Sequence, residues 1–190
     1  GKKSLIEKTA NQVNIEINSY DIIEINNEEE AATVACKLAH EDKVKIIIKG
    51  NLHTDILMRY YLKKEFNVIV GRRLSHIWHM TAQKFNKPLF ITDGALNVLP
   101  RVEIKLQILK NAVDFCNKLN IFKPKVAILS GTEDPIDSMP SSIEAQKVME
   151  LANKENMDAL VHGPLAFDNA ISEEAAKIKN IKNEVAGKAD

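Results

Sequence analysis

Short apolar runs alternate with longer amphipathic stretches along this chain. Five runs rich in β-branched residues, at 22–25, 44–48, 89–92, 126–129 and 159–161, read as strands. The stretches between them read as helices, and the repeated strand–helix order predicts an α/β fold with mostly parallel sheets and helices on both faces. Glu28, Glu29 and Glu30 place negative charge in the first turn of a helix running towards His40, with Ala31, Ala35 and Leu38 on its apolar face. Pro100 opens a long helix ending near Leu119. Ser141 and Glu144 have the spacing of a capping box, and Asp168 is placed to cap the last clear helix, with Ile171, Ala175 and Ile178 inward.

One segment breaks the alternation. Residues 75–81 and 88–92 are strand-like runs joined by a short polar stretch, a spacing that predicts an antiparallel hairpin near 75–92. A domain boundary is expected just before it, giving residues 1–70 and 71–190.

Five of the seven glycines, Gly50, Gly71, Gly94, Gly131 and Gly163, follow an apolar run directly. Any one of them could simply turn the chain. Together they mark one edge, and in open α/β sheets ligands bind outside the carboxyl ends of the strands. Lys49, Thr54, Asp93, Asn97, Ser130, Thr132, Asp168 and Asn169 are expected to line it.

Charge and composition narrow the ligand. Lys+Arg and Asp+Glu are both 26, so there is no net charge to favour bulk binding of nucleic acid or an anionic membrane. The apolar runs are too short to cross a bilayer. Gly1-Lys2-Lys3 leads into a mixed polar segment, so no signal peptide is expected. Cys36 and Cys116 form no spaced pair and fit a reducing, cytoplasmic setting. Cys116 falls on the apolar stripe Ile104, Ile108, Ala112, Phe115 and Leu119, which marks it as a core residue.

Several groups could carry chemistry. Lys49-Gly50-Asn51-Leu52-His53-Thr54 is a strand end, turn and helix start, where backbone N–H groups and a lysine favour an anion. Arg72, Arg73 and Ser75 pair two guanidinium forks with a hydroxyl, suited to phosphate oxygens or, equally, to surface ion pairs. No catalytic base is assigned among these residues; His53 and His76 are the fallback acid–base candidates. Glu133, Asp134 and Asp137 read as a solvated acidic loop, and no clustered metal-ligand pattern is present.

Taken in order, Lys49-Gly-x-x-x-Thr54, Ser75-His76, Phe90-Ile-Thr-Asp-Gly-Ala-Leu-Asn97, Val161-His-Gly-Pro-Leu-Ala-Phe-Asp-Asn-Ala-Ile-Ser-Glu-Glu-Ala-Ala176 and Val185-Ala-Gly-Lys-Ala-Asp190 resemble the phosphate acetyltransferase and phosphate butyryltransferase family. The stretch from Gly163 to Ala176 is especially similar to the butyryltransferase branch. One departure is His162, where related sequences carry an acidic residue.

The resemblance implies a two-domain α/β fold of the isocitrate and isopropylmalate dehydrogenase kind, assembled as a homodimer. It also implies further chain before Gly1 and after Asp190, which holds the residues proposed for catalysis in the acetyltransferase branch. The implied reaction is reversible transfer of an acetyl or short-chain acyl group between coenzyme A and inorganic phosphate, with no metal and no permanently bound cofactor. Lys49, Gly50, Thr54, Arg72, Arg73, Ser75, Asp93, Asn97, Gly163 and Asp168 are then the expected substrate-binding residues, and acyl-CoA and phosphate the partners. Three rivals share the pattern: a metal- and NAD-dependent dehydrogenase of the same fold, an acyltransferase of lipid synthesis, and a non-catalytic remnant or fused domain.

Overall fold

The computed structural model describes residues 1–69, 71–81 and 87–190. The chain divides into two compact units, Gly1–Gly71 and Arg72–Asp190.

In the first unit, helix α1 (Lys3–Gln12) is followed by α2 (Glu28–His40), α3 (Thr54–Tyr61) and a 3₁₀ turn at Lys64–Phe66. Helix α2 begins on a reciprocal cap. The Glu30 N–H donates to Asn27 Oδ1 at 2.8 Å, and the Asn26 N–H donates to Glu30 Oε2 at 3.1 Å. These bonds satisfy donors that a helix start otherwise leaves open. The face of α2 that goes inside centres on Ala32 and Cys36, one turn apart, with the expected Ala31, Ala35 and Leu38 half-buried beside it.

The runs at 22–25 and 44–48 are not strands. Their β-branched composition is right, but a strand exists only where a row of N–H and C=O groups meets a neighbouring strand's; the 22–25 run meets only Gly1, through Ile23 O and the Ile25 N–H, and no strand pairs with either run among the described residues. Ile46 and Ile48 accordingly stand 76% and 89% exposed.

The second unit holds all four strands found among the described residues. Strands β1 (Ile77–Met80) and β2 (Leu89–Thr92) pair antiparallel, with Trp78 opposite Ile91 and His79 opposite Phe90. This is the expected hairpin; its connection at 82–86 lies outside the described residues. Helix α4 (Val102–Lys118) follows, then β3 (Lys125–Leu129), α5 (Pro140–Lys154) and β4 (Leu160–Leu165). Strands β3 and β4 pair in parallel through the α5 crossover, with an irregularity between Ala127 and Leu129. Short helices α6 (Phe167–Ile171) and α7 (Glu173–Ile178) complete the unit. One parallel and one antiparallel pair thus replace the mostly parallel sheets expected.

Two cores cover the two faces of the parallel pair. Val126, Ile128 and Val161 pack with Leu106, Leu109 and Val113 of α4 and Val148 and Ala152 of α5. Ala127 and Leu165 pack with Ala170, Val185 and Ala189. The alternation of Val126, Ala127 and Ile128, each half-buried, between these cores is the period of two in a strand packed on both faces, which is why the run reads as continuously apolar. Cys116 is 5% exposed and belongs to the interior, as its stripe predicts, and burial pushes its thiol pKa up.

Two expected caps are replaced. Ser141 faces Ser130, Oγ to Oγ at 2.9 Å, and Glu144 bonds Lys105 at 2.7 Å, so neither closes a capping box. The neighbouring Ser142, fully buried, ties the turn instead, its hydroxyl donating to Met139 O at 2.7 Å and accepting from the Ile136 N–H at 2.9 Å. At the last helices Ser172, not Asp168, is the cap, accepting from the Ala175 N–H at 3.2 Å. Ile178, expected inward, is 79% exposed because α7 ends there.

Candidate functional site

In the first unit the candidate residues lie on the turn before α3. Lys49 donates to Leu52 O at 3.2 Å, which draws the ammonium over the turn. Gly50 is exposed, with open space where a Cβ would stand. Thr54 is the first residue of α3, and His53 is its N-cap but offers no side-chain cap. The His53 ring is turned instead towards α2. Its Nδ1 lies 2.9 Å from Glu28 Oε2, and its backbone N–H donates to the same oxygen at 3.3 Å. The hydrogen bond and charge of Glu28 raise the His53 pKa, and the same bond lowers that of Glu28. Glu28 was legible in the sequence only as helix-start charge; nothing there pointed to a histidine 25 residues away.

The second unit joins Arg73, Ser75, Asp93 and Asn97 in one network. Arg73 Nε donates to Asn97 Oδ1 at 2.7 Å. The Asn97 amide donates to Leu74 O at 2.9 Å and to the Asp93 carboxylate. Burial works to raise the Asp93 pKa, but hydrogen bonds from Asn97, Leu96 and Ala95 outweigh it and hold the carboxyl below its usual range. Helix α4 fixes the other side. Asn111 Nδ2 donates to Arg73 O at 2.8 Å and to Ser75 Oγ at 2.9 Å, while the Arg73 N–H donates to Gln107 Oε1 at 2.8 Å. Gln107 and Asn111 were missed because they read as ordinary polar positions on an amphipathic helix.

Beside this network, the His76 carbonyl accepts from Thr92 Oγ1 at 2.8 Å. The His76 ring meets Trp78 edge-on at 4.8 Å, and its buried Nδ1 has no partner among the described residues. Arg72 points elsewhere and pairs with Asp114 at 2.6 Å, the surface ion pair its sequence equally allowed.

A third group gathers at the carboxyl end of β4. Gly163 is buried, and a Cβ there would stand 2.7 Å from Ile128 Cβ and 2.9 Å from its carbonyl oxygen. Its missing side chain lets β4 lie close against β3. Asp168 is exposed in α6, and His162 is half-buried, with burial lowering its pKa. The acidic loop is not simply solvated. Glu133 accepts from the Asn169 amide, from the Ala166 N–H at 3.4 Å and from Lys179 at 3.4 Å, fastening the start of α6 to the loop after β3. Burial opposes ionisation of Glu133, but Asn169 and Lys179 prevail and its pKa is lowered. Among the described residues no group of three or more His, Cys, Asp and Glu could hold a metal ion, and no helix is long and apolar enough to cross a membrane.

A cavity of about 370 Å³ opens between β2, α4 and β3. Ile91, Ile108, Val126 and Ile128 are among its lining residues, and of the candidate residues only Asp93 reaches it. Asp190 bridges the strands at this cavity: the Phe90 N–H donates to its carbonyl at 2.8 Å, and its own N–H donates to Lys125 O at 2.8 Å.

A family model described as phosphate acetyl/butaryl transferase matches residues 3–190. The phosphate acetyltransferase of Rickettsia felis is 38% identical over 192 residues, covering 100% of this chain and 55% of the relative. The phosphate butyryltransferase of Clostridium acetobutylicum is 34% identical, covering 100% of this chain and 64% of the relative. This chain therefore spans 55% to 64% of the length of these two relatives. A crystal structure of a branched-chain phosphotransacylase from Enterococcus faecalis superposes with a TM-score of 0.79 at 29% identity, covering 92% of this chain and 63% of that one.

Proposed function

The chain belongs to the phosphate acetyl/butaryl transferase family, and from that premise we propose that the protein moves an acetyl or short-chain acyl group reversibly between coenzyme A and inorganic phosphate. The observation that carries this reading is the network of Arg73, Ser75, Asp93 and Asn97, drawn from segments up to 24 residues apart in a chain that matches the family over residues 3–190. An arginine whose Nε is already held by Asn97 presents the rest of its fork in a set direction, and a planar fork suits phosphate oxygens.

Each unit carries its own group for an anion. In the first, Lys49 and the amino end of α3 supply positive charge and open N–H donors. In the second, Arg73 does so, with Ser75 Oγ as a hydroxyl partner. In this reading the coenzyme A thiol attacks the acyl carbonyl of the acyl phosphate, and the cations hold the phosphate that departs. Thr54 and Gly50 line the Lys49 turn, whereas Gly163 and Asp168 belong to the β4 end, where the role of Gly163 in packing is the better supported.

The reading extends to a fold of the isocitrate and isopropylmalate dehydrogenase kind, a cytoplasmic homodimer, and acyl-CoA and phosphate bound as substrates without a resident cofactor. Support comes from the two buried, unbridged cysteines and from exposed apolar side chains such as Val98 and Leu99. The test is phosphate-dependent release of free coenzyme A from acetyl-CoA and butyryl-CoA by the full natural chain. Release with either donor is the expected outcome. Mg²⁺-dependent NAD reduction in its place would overturn the reading in favour of a dehydrogenase.

A further inference from the structure

Among the described residues β1–β2 and β3–β4 form two separate two-stranded sheets. In each pair one strand lends its whole length to the cavity wall, Leu89 to Thr92 on one side and Lys125 to Leu129 on the other. A strand sends the backbone groups of alternate residues to opposite sides. The Leu160 N–H donates to Pro124 O at 3.0 Å, and Lys125 lies level with Leu160. Pro124, Val126 and Ile128 therefore turn their backbone groups to β4, and Lys125 and Ala127 turn theirs to the cavity. The Phe90 N–H likewise points away from β1, and Thr92, two residues on, shares its direction.

One residue already spans the gap. Asp190 meets β2 through its carbonyl, which accepts from the Phe90 N–H at 2.8 Å, and β3 through its N–H, which donates to Lys125 O at 2.8 Å. Its carboxylate also accepts from the Lys125 N–H at 2.7 Å. Neighbouring strands lie about 4.8 Å apart, so two edges that share one residue leave the width of a single strand between them. Phe90 and Lys125 stand near the starts of β2 and β3, and from there the gap runs on to Thr92 and Leu129. Ile91, Ile108, Val126 and Ile128 are among its walls, and a backbone edge left unpaired beside such side chains costs free energy. Leu129 is 45% exposed, although the unbroken apolar run of β3 is that of a strand inside a sheet.

We propose that this gap is the seat of a fifth strand, formed by the segment that follows Asp190 in the natural chain. It runs parallel to β2 and β3 and joins the two pairs into one sheet, in the order β1, β2, fifth strand, β3, β4. Asp190 argues for this occupant, because it is bonded to both edges and the chain beyond it enters the gap directly. The matched relatives, longer than this chain, supply the length. Five residues of strand, about 16 Å, match the length of β3. Core side chains cover both faces of β3, so a strand beside it should be apolar at successive positions. Its far end emerges beside Asp93 and delivers the chain beyond it to the network of Arg73, Ser75 and Asn97. The seat follows from backbone geometry; the use of the delivered residues in acyl transfer rests on the acyltransferase reading.

The experiment takes the full natural chain, isotope-labelled, and reads backbone proximities by NMR together with amide hydrogen exchange. Proximities are expected from the Ala127 and Thr92 amides to residues within about six positions after Asp190, the reach of one strand of this length. The Ala127 amide should exchange as slowly as that of Ile128, whose N–H is turned to β4, because each then donates to a neighbouring strand. The segment itself should show a continuous apolar run. Phosphate-dependent release of coenzyme A from butyryl-CoA is measured on the same sample.

Proximities from Ala127 straight to Phe90 or Thr92 would overturn the proposal, since the two edges would then close on each other. Proximities to an added butyryl-CoA chain would make the gap an acyl pocket, and proximities to a differently labelled second copy would make it an interface. An Ala127 amide that exchanges far faster than that of Ile128, or a natural chain that ends at Asp190, would also overturn it. Each of these outcomes leaves the acyltransferase reading intact. A fifth strand found in place in a protein that releases no coenzyme A would sink that reading alone.

Discussion

Arg72 and Arg73 are neighbours with the same side chain, yet they stand in different physical situations. Arg72 pairs with Asp114 at 2.6 Å, with the two side chains 42% and 52% exposed. Water competes for such a pair, which is worth about 0–1 kcal/mol. Arg73 is bonded at Nε by Asn97, which Asp93 holds in turn, while Gln107 and Asn111 grip its main chain. Its cost of ordering is met before any ligand arrives. Arg73→Ala should therefore raise the KM for phosphate and coenzyme A about ten- to a hundredfold, the equivalent of one charged hydrogen bond of roughly 1.5–3 kcal/mol. Arg72→Ala should change both by less than about threefold. Steady-state kinetics on the two variants decides the matter, and equal effects would remove Arg73 from the site.

Between elements, the contact that sets the geometry of the second unit is β3 against β4 at Gly163. A Cβ there would meet Ile128 at its Cβ and its carbonyl together, and the carbonyl is backbone that cannot swing aside. Gly163→Ala should destabilise the protein by about 1–3 kcal/mol, as overpacking of an interior contact does. A urea midpoint that falls while the slope is unchanged would show it; an unchanged midpoint would mean that β4 has room to move. This glycine also marks what can be read from sequence. Its place after an apolar run was legible, but β4 runs on through it to Leu165, and whether it ended the strand for a ligand or packed on a neighbour depended on Ile128, which sequence spacing does not place. The hairpin at 77–92 and the β3–α5–β4 crossover were legible for the opposite reason, since turn spacing and short-range periodicity specify them locally. The runs at 22–25 and 44–48 misled because β-propensity describes what a partner strand would stabilise, and no partner strand is found among the described residues. Ser141 and Glu144 have capping-box spacing, but Ser130 and Lys105 claim their side chains, a competition set by tertiary neighbours.

For the molecule as a whole, His162, Asp93 and Glu133 of the second unit are among the groups that set how it responds to acid. Much of its candidate chemistry was legible as residue types, Arg73, Ser75, Asp93 and Asn97 among them; Gln107 and Asn111 were not, and Glu133 read only as part of a solvated loop, because their partners are distant in sequence. Burial lowers the folded pKa of His162 below its usual 6.5. The unfolded chain then binds the extra proton first, so stability present above about pH 6.5 declines as the pH falls towards the folded value. Asp93 and Glu133 are also lowered on folding. Their contribution is complete above the ordinary carboxylate range of about 4 and is lost as the pH falls through their folded values. Acid should thus weaken the protein in two steps, the first from an imidazole and the second from carboxyls. His53 works against the first step, because its pKa is raised and the folded state binds its proton more readily. Urea midpoints measured from pH 7.5 to pH 3 should fall below about pH 6.5 in the parent. In His162→Asn that upper decline should flatten, and in Glu133→Gln the lower one should shrink. Parallel curves for the parent and His162→Asn between about pH 7 and 5 would show that the half-buried imidazole takes its proton without cost to the fold.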